Sequence, residues 1–213
     1  MNNFKSTPYL IFIFFAWVVI FASCKKSSTS TPLKIDTLPT PISNIVSQSM
    51  IDSLKAAGAT VYEGTTPPTL NGIFLMHPDS CIYDNSPGQF KGQLFDDYKF
   101  DFTDQNNTLF TISVAQKDMA SGTLSAPPVL TYISGSGNNF SVFLYRTSSP
   151  TGISIEQFNV LSGTLISTGI QGFQNTYYLR KKTGDPNNTI APAGTIRVFV
   201  NGGAGVAVTS NTF

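Results

Sequence analysis

The chain has 213 residues, 41% of them hydrophobic, yet only 12% are charged and the formal net charge is +1. So small an imbalance excludes a protein built on a strong electrostatic field, and with it bulk nucleic-acid binding. Seventeen Phe and eight Tyr argue against intrinsic disorder, and two Cys with one His leave little material for a metal cage. The length allows one domain or two small ones.

Residues 1–8 carry Lys5 and the free amine, residues 9–22 (YLIFIFFAWVVIFA) are almost wholly apolar, and small residues follow. A basic start, a short apolar core and a small-residue cut site describe a secretory signal peptide over residues 1–23. The apolar run is short for a membrane span, which needs about 20 residues. The alternative is an uncleaved anchor with an incidental cysteine. Phe21-Ala22-Ser23-Cys24 resembles the bacterial lipobox. The resemblance implies cleavage between Ser23 and Cys24, a diacylglycerol thioether on Cys24, and attachment to the membrane through that lipid. Each buried methylene contributes about 0.8 kcal/mol, so two or three acyl chains hold a protein at a bilayer almost permanently. Acylation of Cys24 leaves Cys81 alone, without an internal disulfide partner.

Residues 24–43 are rich in Ser, Thr and Pro and read as an extended tether. In lipoproteins of Bacteroidota an acidic run after the cysteine directs surface export. Lys25-Lys26-Ser27-Ser28 contains no acid, so this resemblance implies an outer-membrane protein facing the periplasm, with surface exposure as the alternative. Asp36-Thr37-Leu38 is similar to the O-glycosylation motif of the same bacteria.

The spacing of Val46, Met50, Leu54 and Ala57 predicts a helix over 44–58, capped by Ser43 or Asn44 and stopped by Gly58. A connection follows to residue 66. A stripe of this kind packs on a sheet more often than it plugs a barrel or grips a ligand. From residue 67 to 213 the pattern is β. Tyr98, Phe100 and Phe102 alternate with polar residues, as do Phe110, Ile112 and Val114. Further strands follow at 129–133, 142–145, 153–170, 177–179 and 196–200, and Pro127-Pro128 marks a bend or loop. About eight short strands with sequential turns predict a mainly β fold, an antiparallel up-and-down barrel with one N-terminal helix; a two-sheet sandwich is the alternative.

Residues 161–186, with the helix and Leu70-Asn71-Gly72, resemble the lipocalin-like lipoproteins of Bacteroidota. Gly72-Ile73-Phe74 stands where lipocalins carry Gly-x-Trp. The resemblance implies a calycin-type barrel able to hold a small molecule.

Candidate chemistry is sparse. His77 and Cys81 lie close in sequence, but no nucleophile motif flanks either, so a hydrolase using His77 is a remote alternative. Asp96, Asp97, Asp101 and Asp104 interleave with Phe100 and Phe102 at strand period, which fits an outer strand face better than a calcium loop. Arg180-Lys181-Lys182 reads as a solvated strand end, and Gly202-Gly203-Ala204-Gly205 opens no helix and so fails as a phosphate loop. No catalytic group, metal site or cofactor is expected. The expected function is a lipid-anchored, non-enzymatic envelope protein binding a small hydrophobic ligand between Tyr98, Phe100, Phe102, Phe110, Ile112 and Val114. The alternative is a surface that docks an envelope partner or inhibits an enzyme.

Overall fold

The computed structural model describes residues 38–149, 152–202 and 205–213. Cys24, Ser23 and the tether up to residue 37 lie outside them.

Two helices precede the strands: α1 (Thr40–Ser43) and α2 (Gln48–Ala56). Ser47, rather than Ser43 or Asn44, caps α2, its hydroxyl accepting the Met50 N–H at 3.3 Å. Gly58 ends the helix at φ 94°, where a side chain is strained. Residues 40–43, expected to belong to the tether, instead form α1, whose Ile42 is fully buried.

Twelve strands follow: β1 (Thr65–Thr66), β2 (Gly72–Met76), β3 (Asp79–Asp84), β4 (Leu94–Phe95), β5 (Tyr98–Asn106), β6 (Thr111–Asp118), β7 (Leu124–Ser136), β8 (Asn139–Ser148), β9 (Ser154–Ile166), β10 (Gly169–Thr183), β11 (Ile196–Asn201) and β12 (Val206–Ser210). Apart from the short β1, which runs parallel to β7, every pairing is antiparallel. The order β12-β2-β5-β6-β7-β8-β9-β10 closes through β10–β12, giving a ring of eight strands. The expected mainly β, up-and-down architecture is therefore present. Closure removes the bare edges of an open sheet.

The remaining strands prolong the ring. β3 and β4 pair in the register of β2 and β5, with Met76 opposite Tyr98 and Asp79 opposite Phe95. β11 likewise continues β12 along both β10 and β3. A kink separates the two halves at His77-Pro78, Asp96-Asp97 and Gly202. Proline has no N–H to give the ladder, and one side-chain and one backbone hydrogen bond bridge the break. The His77 N–H donates to Asn201 Oδ1 at 2.7 Å, and the Gly202 N–H to the Pro78 carbonyl at 2.9 Å.

Two apolar clusters hold this wall from either face. Inside the ring, Phe74, Phe100, Phe102, Phe140 and Phe173 pack with Leu70, Met76, Ile112, Val114, Val142 and Leu144. Their rings meet edge-on, Phe100 and Phe173 at 5.3 Å and Phe74 and Phe102 at 5.9 Å. Outside, Ile42, Val46, Ile51 and Leu54 cover Phe143, Phe158, Val160, Ile196 and Val198. The helices therefore pack on the outer wall. Met50 is only partly buried, and Ile51, outside the predicted stripe, is fully buried instead.

Candidate functional site

The inward columns of the strands change character along the ring. At one end they are apolar. Two residues further on, toward the mouth formed by the β3–β4 and β10–β11 loops, they turn polar. Val114 of β6 is followed inward by Gln116, Leu161 of β9 is preceded by Asn159 and Gln157, and Phe173 of β10 is followed by Asn175 and Tyr177. The side-chain period of two makes each column continuous. Gln116, Gln157, Asn159, Asn175 and Tyr177, with Asp79, Phe95, Tyr98, Arg197 and Phe199, line a chamber of about 230 Å³. Within it the Gln157 amide donates to Asn159 Oδ1 at 3.2 Å, and the Asn159 amide to Asn175 Oδ1 at 3.1 Å. Phe95, Phe199 and Tyr98 supply the apolar part of the wall.

Asp79 is the chamber's unusual group. It is 2% exposed, and its Oδ1 has no hydrogen-bond partner. Burial, then the nearby charge of Asp97, pushes its pKa up to about 7. Burial also raises the Tyr98 and Tyr177 phenols.

Above the chamber lies a vestibule of about 760 Å³, bounded by Pro87 and Phe90 on one loop and by Ile190 and Pro192 on the other. Tyr177 and Arg197 wall both spaces. A carboxylate fixes each rim loop. Burial alone would raise the pKa of Asp84, but the N–H groups of Phe90 and Ser86, the Ser86 hydroxyl and the Arg197 charge hold it below its ordinary value. The Arg197 guanidinium lies 3.4 Å from Asp84 and stacks over Phe90 at 4.7 Å. Lys182 donates to Asp185 at 2.8 Å and to the Ile190 carbonyl at 2.8 Å, and Asp185 also accepts the N–H groups of Thr189 and Ile190. The Arg180-Lys181-Lys182 run is thus structural at Lys182, while Lys181 faces Glu156 at 3.6 Å.

The residues predicted to line a cavity fall in three places. Tyr98 lines the chamber. Phe100, Phe102, Ile112 and Val114 are fully buried in the aromatic core of the apolar end. Phe110 is half-buried at φ 55° in the turn before β6, and its carbonyl accepts the Ile133 N–H at 2.8 Å. The signal for the chamber stood in the sequence as the phase of Gln157 and Asn159 with the inward Leu161. Opposite them on β10, Asn175 holds the same phase with Phe173. Arg197 and Asp79 carried no such signal.

His77 Nδ1 lies 2.7 Å from Asp97 Oδ2 on the exposed outer side of the kink. No hydroxyl or thiol hydrogen-bonds the ring among the described residues. The Cys81 thiol is buried and donates to the Tyr83 carbonyl at 3.2 Å. Among the described residues no cluster of His, Cys, Asp or Glu is arranged to hold a metal ion, and no helix is long and apolar enough to cross a membrane. The chain matches no protein-family model, no curated protein and no solved structure.

Proposed function

We propose that this is a lipid-anchored, non-enzymatic binding protein of a bacterial outer membrane, facing the periplasm, whose β-ring takes a small ligand at its mouth. The observation that supports it is the chamber of about 230 Å³, set inside the ring between polar and aromatic walls and opening on a vestibule of about 760 Å³. Small-molecule sites combine apolar walls with a few placed polar groups in this way, in spaces of about 300–1,000 Å³, a range the vestibule reaches and the chamber alone does not. Because phenylalanines already fill the apolar end, the ligand is compact, with an apolar body and hydrogen-bonding groups for Asn159 and Asn175. A long, wholly hydrophobic molecule finds no space there. The anchor rests on the lipobox-like Phe21-Ala22-Ser23-Cys24 and the tether that follows it.

Two experiments test the two parts. Mass spectrometry of the membrane-extracted chain is expected to find a new N-terminus at Cys24 carrying diacylglycerol, and Cys24→Ala is expected to abolish the modification; an unmodified thiol overturns the anchor. Native mass spectrometry of the full chain is expected to find a co-purifying small molecule that Asn159→Phe, by filling the chamber, expels. An empty wild type, or equal retention by both proteins, overturns the binding site.

A further inference from the structure

Beside the chamber the ring wall parts. The β7–β8 ladder runs from Ser136 and Asn139 to Tyr132 and Phe143 and stops there, although β7 extends back to Leu124 and β8 on to Ser148. Pro127 and Pro128 sit in this stretch and have no N–H to offer a neighbour. The parting is a cleft of about 450 Å³ lined by Ala126, Pro127 and Val129 on one side and Tyr145 and Arg146 on the other. Gln157 lines both this cleft and the chamber.

Arg146 shares the phase of the inward residues Val142 and Leu144 on β8. Its Nη1 donates to Gln116 Oε1 at 3.1 Å. Its Nε is buried and has no acceptor. No carboxylate pairs with it among the described residues, whereas Arg197 has Asp84, Lys182 has Asp185 and Lys55 has Glu63. A buried guanidinium without a counter-charge is costly, and removal of its ion partner is what ordinarily produces such a state. Burial also lowers its pKa, as expected of a cation with nothing to offset its lost hydration.

We infer that Arg146 is the anion-binding residue of this cleft and that the ligand carries a carboxylate, held by the guanidinium, with its apolar body turned toward Tyr98 and Phe199 in the chamber. The planar fork of arginine matches a carboxylate in two parallel hydrogen bonds. The unpaired β7 and β8 backbones frame a side entrance to the chamber, distinct from the vestibule. The inference rests on the binding function proposed above and names the chemical class of its ligand.

The test uses the full chain with benzoate and hexanoate as probes and benzamide as the neutral counterpart of benzoate. Both carboxylates are expected to raise the unfolding temperature of the wild type and to bind it at least tenfold more tightly than Arg146→Gln. Arg146→Lys keeps a charge but not the fork, and is expected to fall between them. Without ligand, Arg146→Met is expected to unfold at or above the wild-type temperature, because the charge it removes has no partner; a merely structural arginine would lower it. Equal binding of benzoate and benzamide to the wild type, or undiminished benzoate binding by Arg146→Gln, overturns the anion site and leaves small-molecule binding at the mouth standing. Binding of none of the three probes, with a neutral molecule co-purifying in the chamber, likewise overturns the carboxylate assignment alone.

Discussion

Asp79 places a carboxyl where ionisation is penalised, and the penalty has a definite pH window. Its pKa is about 7 in the folded protein against 3.8 for the free group. Below about pH 4 the carboxyl is neutral in both states and no penalty exists. Between pH 4 and 7 the unfolded chain ionises first, so stability falls as pH rises, and above pH 7 the loss is complete. At about 1.4 kcal/mol per unit, the full loss is at most about 4 kcal/mol. Asp79→Asn is therefore expected to be more stable than the wild type at pH 8 and to match it near pH 4. Urea titrations at the two pH values measure this, and a constant difference would refute it. The kink supplies a second contrast. His77→Ala removes an exposed side-chain contact with Asp97, worth about 0–1 kcal/mol. Asn201→Ala leaves the His77 N–H without its acceptor, at about 1–3 kcal/mol. Denaturation is expected to rank Asn201→Ala as the more damaging, with the His77 side chain nearly dispensable. The sequence singled out His77 without revealing why it is there, because its partners Asp97 and Asn201 lie 20 and 124 residues away.

At the level of elements, α2 is legible from its spacing alone, and its stop at Gly58 is where a left-handed residue is needed. Val46, Leu54 and Ala57 of the predicted stripe are buried, and only at Met50 does the face differ, since Ile51 meets the wall formed by Phe158 and Val198 instead. Ile51→Ala is expected to cost about 2–5 kcal/mol, read as a lower urea midpoint at unchanged slope. The strands were legible where one face is wet, as at Tyr98–Phe102. They were harder to read where both faces are covered. Phe140, Val142 and Leu144 face the ring core while Phe143 lies under the helices, so the run shows no alternation of apolar with polar. The mixed pattern around Gln157 and Asn159 had the opposite cause, since the inward column itself turns polar there. Pro127-Pro128, predicted to break a strand, instead lies within β7, where the ladder to β6 skips register between Val129 and Ala126 and the ladder to β8 has already ended.

The whole ring has two unlike ends. Interlocked phenylalanines fill one, and at the other the walls enclose space, part from each other beside Pro127, and depend on Asp84 and Asp185 to fix the rim. Amide hydrogen exchange is expected to be slowest for Phe100–Phe102 and Phe140–Val142 and fastest for residues 144–148 of β8 and the rim loops, because local opening follows apolar contact and backbone pairing. Uniform protection along β8 would contradict this. The meander was legible because from β5 to β11 each strand pairs with its successor in the chain. A closed barrel was expected, but its closure by β12 on β2 and β10 was not legible, since no local pattern encodes a contact between the first and last strands of the ring.

That seam orders events during folding. β2 finds its second neighbour only when Val206–Ser210 dock against it. Until then both flanks of the nascent sheet stay open to passing strands, and a chain that halts a few residues early keeps them so. The final five-residue strand therefore sets the moment at which this protein stops being adhesive to its own kind.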